Sequence, residues 1–155
     1  MSEILSLIGK ELSVFILSMV PISELRGAIP YGISIGLSPY NAFIISVIGN
    51  IIPVPFLLKL YRPIIRWIAR STFLRKPASM IVNKVDRSSR KVRKYELWGL
   101  FLLVAIPLPT TGVWTASAVA SFLKLSYKKS IFFISLGVLA AGIIVLSISV
   151  GVSIL

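Results

Sequence analysis

The segment PISELRGAIPYG, residues 21–32, sets Glu24 and Arg26 between two prolines, directly after an apolar stretch, Ile4 to Val20, that can enter a lipid bilayer. Charges at such depth are costly and mark functional positions. Proline supplies no backbone N–H and kinks or ends a helix, so Pro21 and Pro30 suit a bend better than the middle of a span. What flanks this segment decides the fold.

The surrounding chain is far more apolar than a soluble domain: of 155 residues, 56% are hydrophobic and 14% charged, which indicates an integral membrane protein. The formal charge is +12, but twelve of the seventeen basic residues fall between Lys59 and Lys94. That clustering describes a charged loop between membrane units. It does not describe a nucleic-acid surface, since RSSRKVRK at 87–94 has no interleaved aromatics. Without cysteine or histidine the chain has no disulfide framework, zinc-type metal site, thiol or imidazole chemistry, and five carboxylates leave few acid or base candidates. A phosphate-cradling glycine loop followed by Lys and Ser or Thr is also missing. The expectation is a protein that is not an enzyme and uses no cofactor. Its opening Met-Ser-Glu lacks a basic n-region, so the N-terminal segment is expected to remain in the mature protein.

About 20 helical residues cross a hydrocarbon core, so 42–58 and 130–150 are each long enough to span. Leu97 to Ile106 and Val113 to Leu123 are half-crossings separated by PLPTTG, a pattern that fits a re-entrant hairpin. The first unit reads the same way. Shifting the sequence by 88 residues lays Pro21 on Pro109, Ala28 on Ala116, Leu37 on Leu125, Ser38 on Ser126 and Gly49 on Gly137. The expected fold is an all-α integral membrane protein: an inverted repeat of two units, each a re-entrant helical hairpin followed by a transmembrane helix. Unit 1 covers 1–58 (tip 21–28, span 42–58) and unit 2 covers 97–155 (tip 107–112, span 130–150), joined by a basic cytoplasmic linker, 59–96, with an amphipathic helix. The segments then assigned outside, SPYN at 38–41 and the C-terminal tail, carry no Lys or Arg, which places both termini outside the cell (inner) membrane. Inverted units of this kind are how secondary transporters surround a central site.

On this reading Glu24 binds and releases a proton or cation while Arg26 holds an anionic substrate group, a guanidinium being suited to phosphate oxygens. The plainer alternative is a structural ion pair that satisfies frayed half-helix ends. At the second tip, Thr110 and Thr111 supply hydroxyls, Gly112 backbone freedom and Trp114 an amphipathic ring. With Pro21 and Pro30 these complete the candidate substrate- or ion-binding set, Trp114 being equally readable as an interfacial anchor. Ala28, Gly32 and Gly36, and in the second unit Ala116 with Ala120 and Ser117 with Ser121, recur every four residues, a spacing that lets helix backbones approach inside a membrane. Arg62, Arg66 and Arg70 step by four along an amphipathic face, and Arg87, Arg90, Lys91, Arg93 and Lys94 follow. Together they form an expected inner-leaflet lipid surface.

PISELRGAIPYG with PLPTTGVW resembles the small multidrug export protein family of bacteria and archaea over nearly the whole chain. That family is distantly similar to the DedA, or VTT, membrane proteins, whose paired re-entrant hairpins are implicated in proton-coupled lipid transport, including recycling of polyprenyl phosphate. The resemblance implies that Glu24 matches the acidic residue of the first DedA hairpin. DedA proteins place an essential arginine in the second hairpin, whereas here Arg26 is in the first. Residues and resemblance together lead to a small transporter, expected to be a homodimer in contact with membrane lipids and with protons or small ions, moving an amphipathic substrate such as a lipid phosphate. Efflux of hydrophobic cationic drugs and a non-transporting membrane scaffold or accessory subunit are the alternatives.

Overall fold

The computed structural model describes residues 2–70, 90–107 and 111–154. The described chain is helical throughout: α1 (Ser2–Met19), α2 (Glu24–Ser34), α3 (Pro39–Ile51), α4 (Pro53–Arg70), α5 (Arg90–Ala105), α6 (Val113–Phe122) and α7 (Tyr127–Ile154). Two stretches are long and apolar enough to cross a bilayer, Pro39–Ile65, which joins α3 to most of α4, and Tyr127–Val152 in α7. Exposed Leu5, Ile8, Leu12 and Ile16 on α1 suit lipid contact.

Local chemistry explains the boundaries. Gly36, at φ +89°, ends α2 in the left-handed region that glycine adopts without penalty. Its N–H donates to Ile33 O (3.0 Å) and that of Leu37 to Gly32 O (3.0 Å), a Schellman closure. Ser38 then caps α3, its hydroxyl accepting from the Asn41 N–H at 3.2 Å, with Pro39 at the first helical position. The end of α6 repeats the closure with Lys124 at φ +53°, Lys124 N–H donating to Ser121 O (3.3 Å) and Leu125 N–H to Ala120 O (3.0 Å). These two turns lie 88 residues apart, as do the starts of α3 and α7.

Packing fixes the helix directions. Close approaches of Gly32 to Val14 and of Gly36 to Lys10 make α1 and α2 an antiparallel hairpin, while Gly49 of α3 sits against Phe15 and Ser18 of α1. In the second half Trp98 meets Phe133 edge-on (5.3 Å between centroids) and Gly137 lies on Phe101 and Val104, so α5 runs alongside α7 in the same sense. Ser121 reaches Leu58 and Arg62 reaches Leu125, so α6 runs with α4. Since α6 reverses into α7, the two long helical stretches are antiparallel. They meet where Gly142 touches Phe43 and Val47. The core between them gathers Leu25, Ile29, Val54, Leu58, Leu100, Val104, Val113, Ile134 and Val138.

The amphipathic segment expected after the first span is not a separate helix. Arg62, Arg66 and Arg70 extend α4, which begins at Pro53 after a single non-helical residue, Ile52. The chain can continue because Pro53 occupies a first helical position, where its missing N–H costs nothing. Likewise Arg90 to Lys94 form the first turns of α5 instead of a polar lead-in.

Small residues at these crossings are required by contact. A Cβ on Gly49 would meet the Phe15 carbonyl at 2.9 Å and one on Gly137 the Phe101 carbonyl at 2.8 Å, whereas Gly99 has nothing within 4 Å. Gly49→Ala and Gly137→Ala are expected to destabilise the protein by about 1–3 kcal/mol through overpacking. Gly99→Ala should stabilise it by about 0.5–1 kcal/mol through helix propensity alone. Thermal unfolding of the three variants in one detergent checks the contrast.

Candidate functional site

The two helical hairpins meet tip to tip. Glu24 opens α2 at φ +46°, a left-handed conformation that costs a non-glycine residue roughly 1–2 kcal/mol. Such strain persists only where the surroundings hold it. Here the carboxylate, 6% exposed, is held by the second hairpin: it accepts from the backbone N–H groups of Val113 and Trp114, at the start of α6. These are orphan donors of a helix N-terminus, where the dipole also favours a negative charge.

Arg26, two residues on and half-buried, does the converse job. Its Nη2 donates to the carbonyls of Val104 (3.4 Å) and Ile106 (3.3 Å) and to Thr111 Oγ1 (3.3 Å), so a cation covers the exposed carbonyls at the end of α5. Trp114 reciprocates, its indole N–H donating to Met19 O at the end of α1 (3.2 Å). Each tip also closes on itself, Ser23 Oγ donating to Leu17 O (2.6 Å) and Thr111 Oγ1 to Ile106 O (3.2 Å). Gly112 lies against the Glu24 carboxylate so tightly that any Cβ there would occupy its space.

Beside this junction lies a cavity of about 300 Å³ bordered by Pro21, Ile22, Ser23, Glu24, Arg26, Gly27, Thr111, Trp114 and Thr115. A second, of about 510 Å³, runs from Arg26 and Pro107 along Pro30, Ile33 and Ser34 to the second half of α7. Arg26 borders both. The three Nη2 contacts described above are longer than the usual 2.7–3.2 Å.

Of the residues singled out by sequence, Pro21, Glu24, Arg26, Thr111 and Trp114 surround the first cavity, Gly112 abuts it and Pro30 lines the second. Thr110 and Arg87 lie outside the described residues. Arg62 is engaged within the protein, donating to Leu125 O (2.8 Å) with its guanidinium 5.6 Å from the Tyr127 ring centroid. Arg66 and Arg70 fall in the last turns of α4, and Arg90, Lys91, Arg93 and Lys94 in the first turns of α5.

Sequence reasoning passed over Ser23, whose signal was its equivalence to Thr111 at the 88-residue shift, and Asn50. Asn50 is 1% exposed, and both its amide atoms lack a hydrogen-bond partner in the described structure. Gly32 meets Ala42 between antiparallel α2 and α3, and eight residues further along each helix bring Glu24 and Asn50 to the same level. A buried polar group at tip depth had no sequence signature beyond being an asparagine in an apolar run.

A helical membrane protein whose two hairpins exchange hydrogen bonds across their tips is the class that fold and site define. The chain belongs to the small multi-drug export protein family, whose sequence model matches residues 24–144. No curated protein and no solved structure matches it.

The Glu24–Gly112 contact yields a coupling test. Gly112→Ala should displace the carboxylate from Val113 and Trp114 and lower stability by about 1–3 kcal/mol. In a Glu24→Ala background the same substitution should cost much less, with a coupling of about 0.5–3 kcal/mol in a double-mutant cycle read by thermal unfolding.

Proposed function

We propose that the chain is a small transporter in which the tip junction is the substrate site, Arg26 holding the anionic head of an amphipathic substrate, best a lipid phosphate, and Glu24 exchanging a proton. The observation that carries this reading is the position of Arg26: it lies between a small polar cavity and a long apolar one, its Nη2 donating to two carbonyls and a hydroxyl. A planar fork of N–H donors there recognises phosphate or carboxylate oxygens.

Coupling to protons follows from Glu24. Its carboxylate is bound by two backbone N–H groups that belong to the opposite hairpin, so protonation weakens the link between the tips. The two units are read as inverted re-entrant repeats, supported by the antiparallel long helices and the matching turns 88 residues apart. With the basic segment inside, the loop at 38–41 and the C-terminus lie outside. In this otherwise cysteine-free chain, a single cysteine placed at Tyr40 should react with a membrane-impermeant maleimide in intact cells, and one at Lys128 only after permeabilisation. The reverse pattern would overturn the inverted arrangement.

The family description favours a second reading, export of hydrophobic cations, with Glu24 as the counter-charge. Native mass spectrometry of the purified protein with a long-chain alkyl phosphate and an alkyltrimethylammonium of equal chain length separates the two. Phosphate retention should fall at least about tenfold, equivalent to about 1.4 kcal/mol, in Arg26→Gln and less in Arg26→Lys. Glu24→Gln should keep the fold and lose the pH dependence of transport. Ammonium retention that ignores Arg26 and vanishes in Glu24→Gln would install the export reading, and retention of neither would leave the junction a structural clasp.

A further inference from the structure

The apolar cavity between α2 and α7 has no counterpart requirement in the tip chemistry, yet it begins at Arg26. Ile33, Val145, Ile148 and Val152 form its walls. Its two hydroxyls are turned to their own helices, Ser34 Oγ donating to Tyr31 O (2.7 Å) and Ser149 Oγ to Val145 O (2.8 Å). The walls are therefore effectively hydrocarbon. Arg26 is the charged residue among those lining it. A volume of about 510 Å³ falls inside the roughly 300–1,000 Å³ of small-molecule sites.

The opposite flank explains why this groove stands open. The α4–α6 contact, 88 residues away in sequence register, is fastened by Ser121 Oγ to Leu58 O (3.5 Å), Tyr127 OH to Pro55 O (3.3 Å) and Arg62 to Leu125 O (2.8 Å). The positions equivalent to Ser121, Tyr127 and Arg62 are Ile33, Pro39 and Val150, none of which has a side-chain donor. At these three positions no side-chain donor draws α2 onto the end of α7, and apolar walls gain little by closing in lipid, where tails pack as well as side chains.

We infer that this groove holds the single hydrocarbon chain of an anionic amphiphile whose head group sits at Arg26. The inference rests on the anion reading above and adds where the chain lies. Charge complementarity selects the occupant, because a cation at the end of an apolar channel matches an anionic head on an apolar tail and opposes a cationic one.

The probe is a long-chain alkyl phosphate with a diazirine in mid-chain, photolysed on the full chain in nanodiscs, with labelled residues mapped by peptide mass spectrometry. Label is expected on residues 30–34 of α2 and 145–152 of α7. It should fall at least about tenfold, about 1.4 kcal/mol in binding, in Arg26→Gln and in Ile148→Trp, which fills the groove from an exposed position and leaves the tips untouched. The trimethylammonium analogue of the same chain should label these residues no more than it labels α1. Label spread evenly over the lipid-facing helices, equal for both head groups, overturns the groove; if native mass spectrometry still shows Arg26-dependent phosphate retention, the head-group site stands without it. Loss of both the localised label and that retention overturns the groove together with the anion reading.

Discussion

The constraint behind this structure is that helix ends buried in a protein within a bilayer must find partners for their backbone groups. Two hairpins bring four such ends together: the carbonyl ends of α1 and α5 and the amide ends of α2 and α6. Each such group left unpaired away from water costs several kcal/mol. The chain solves this mostly across the interface. Glu24 of the first hairpin takes the amides of α6, Arg26 takes the carbonyls of α5, and Trp114 of the second takes a carbonyl of α1. Neither tip is satisfied alone, so the hairpins depend on each other, and the positions of the long helices packed behind them follow.

The exchange is close to symmetric in geometry and not in chemistry. At the 88-residue shift Ser23 corresponds to Thr111, and both close their own arm; Arg26 corresponds to Trp114, and both donate to the far arm; Glu24 corresponds to Gly112. Tryptophan and arginine both donate N–H, but only arginine brings a charge. Glycine stands opposite glutamate because the carboxylate fills the volume a second side chain would need. The tip junction thus carries one acid and one base, both on the first tip.

Much of this was legible in residues and spacing. Pro21 with the charges after it marked a turn between helices, whereas Pro30, expected at a bend, lies inside α2; the lengths of the apolar runs picked out the two long stretches. The 88-residue register, read from a handful of identities, relates the starts of α3 and α7 and both Schellman turns, the turn at Gly36 and Leu37 recurring at Lys124 and Leu125. Small residues at four-residue spacing marked real contacts: Gly32 meets Val14 and Ala42, and Ala116 and Ala120 are buried. What sequence could not reveal was pairing between hairpins. Nothing local tells Glu24 to bond the backbone of Val113 and Trp114, since that depends on where α6 begins in space. The extent of α4 was hidden for another reason: a basic amphipathic pattern reads alike on a membrane surface and at the end of a long helix, and Arg62 was drawn into the fold by the Leu125 carbonyl.

The asymmetry of fastening bears on how such a molecule works. A carrier built from related halves needs two arrangements of similar energy in which opposite flanks open. Here one flank is closed by three side-chain donors, and its equivalent presents only isoleucine, proline and valine. Symmetry alone therefore does not balance the two arrangements. Each neutral fastening bond contributes about 0.5–1.5 kcal/mol, and that of Arg62 more because it is charge-assisted. A substrate can shift the balance only by binding one arrangement more tightly than the other. On the proposed reading, an anion that takes Nη2 of Arg26 from the α5 carbonyls has that property, because it loosens the tip exchange while occupying the open flank.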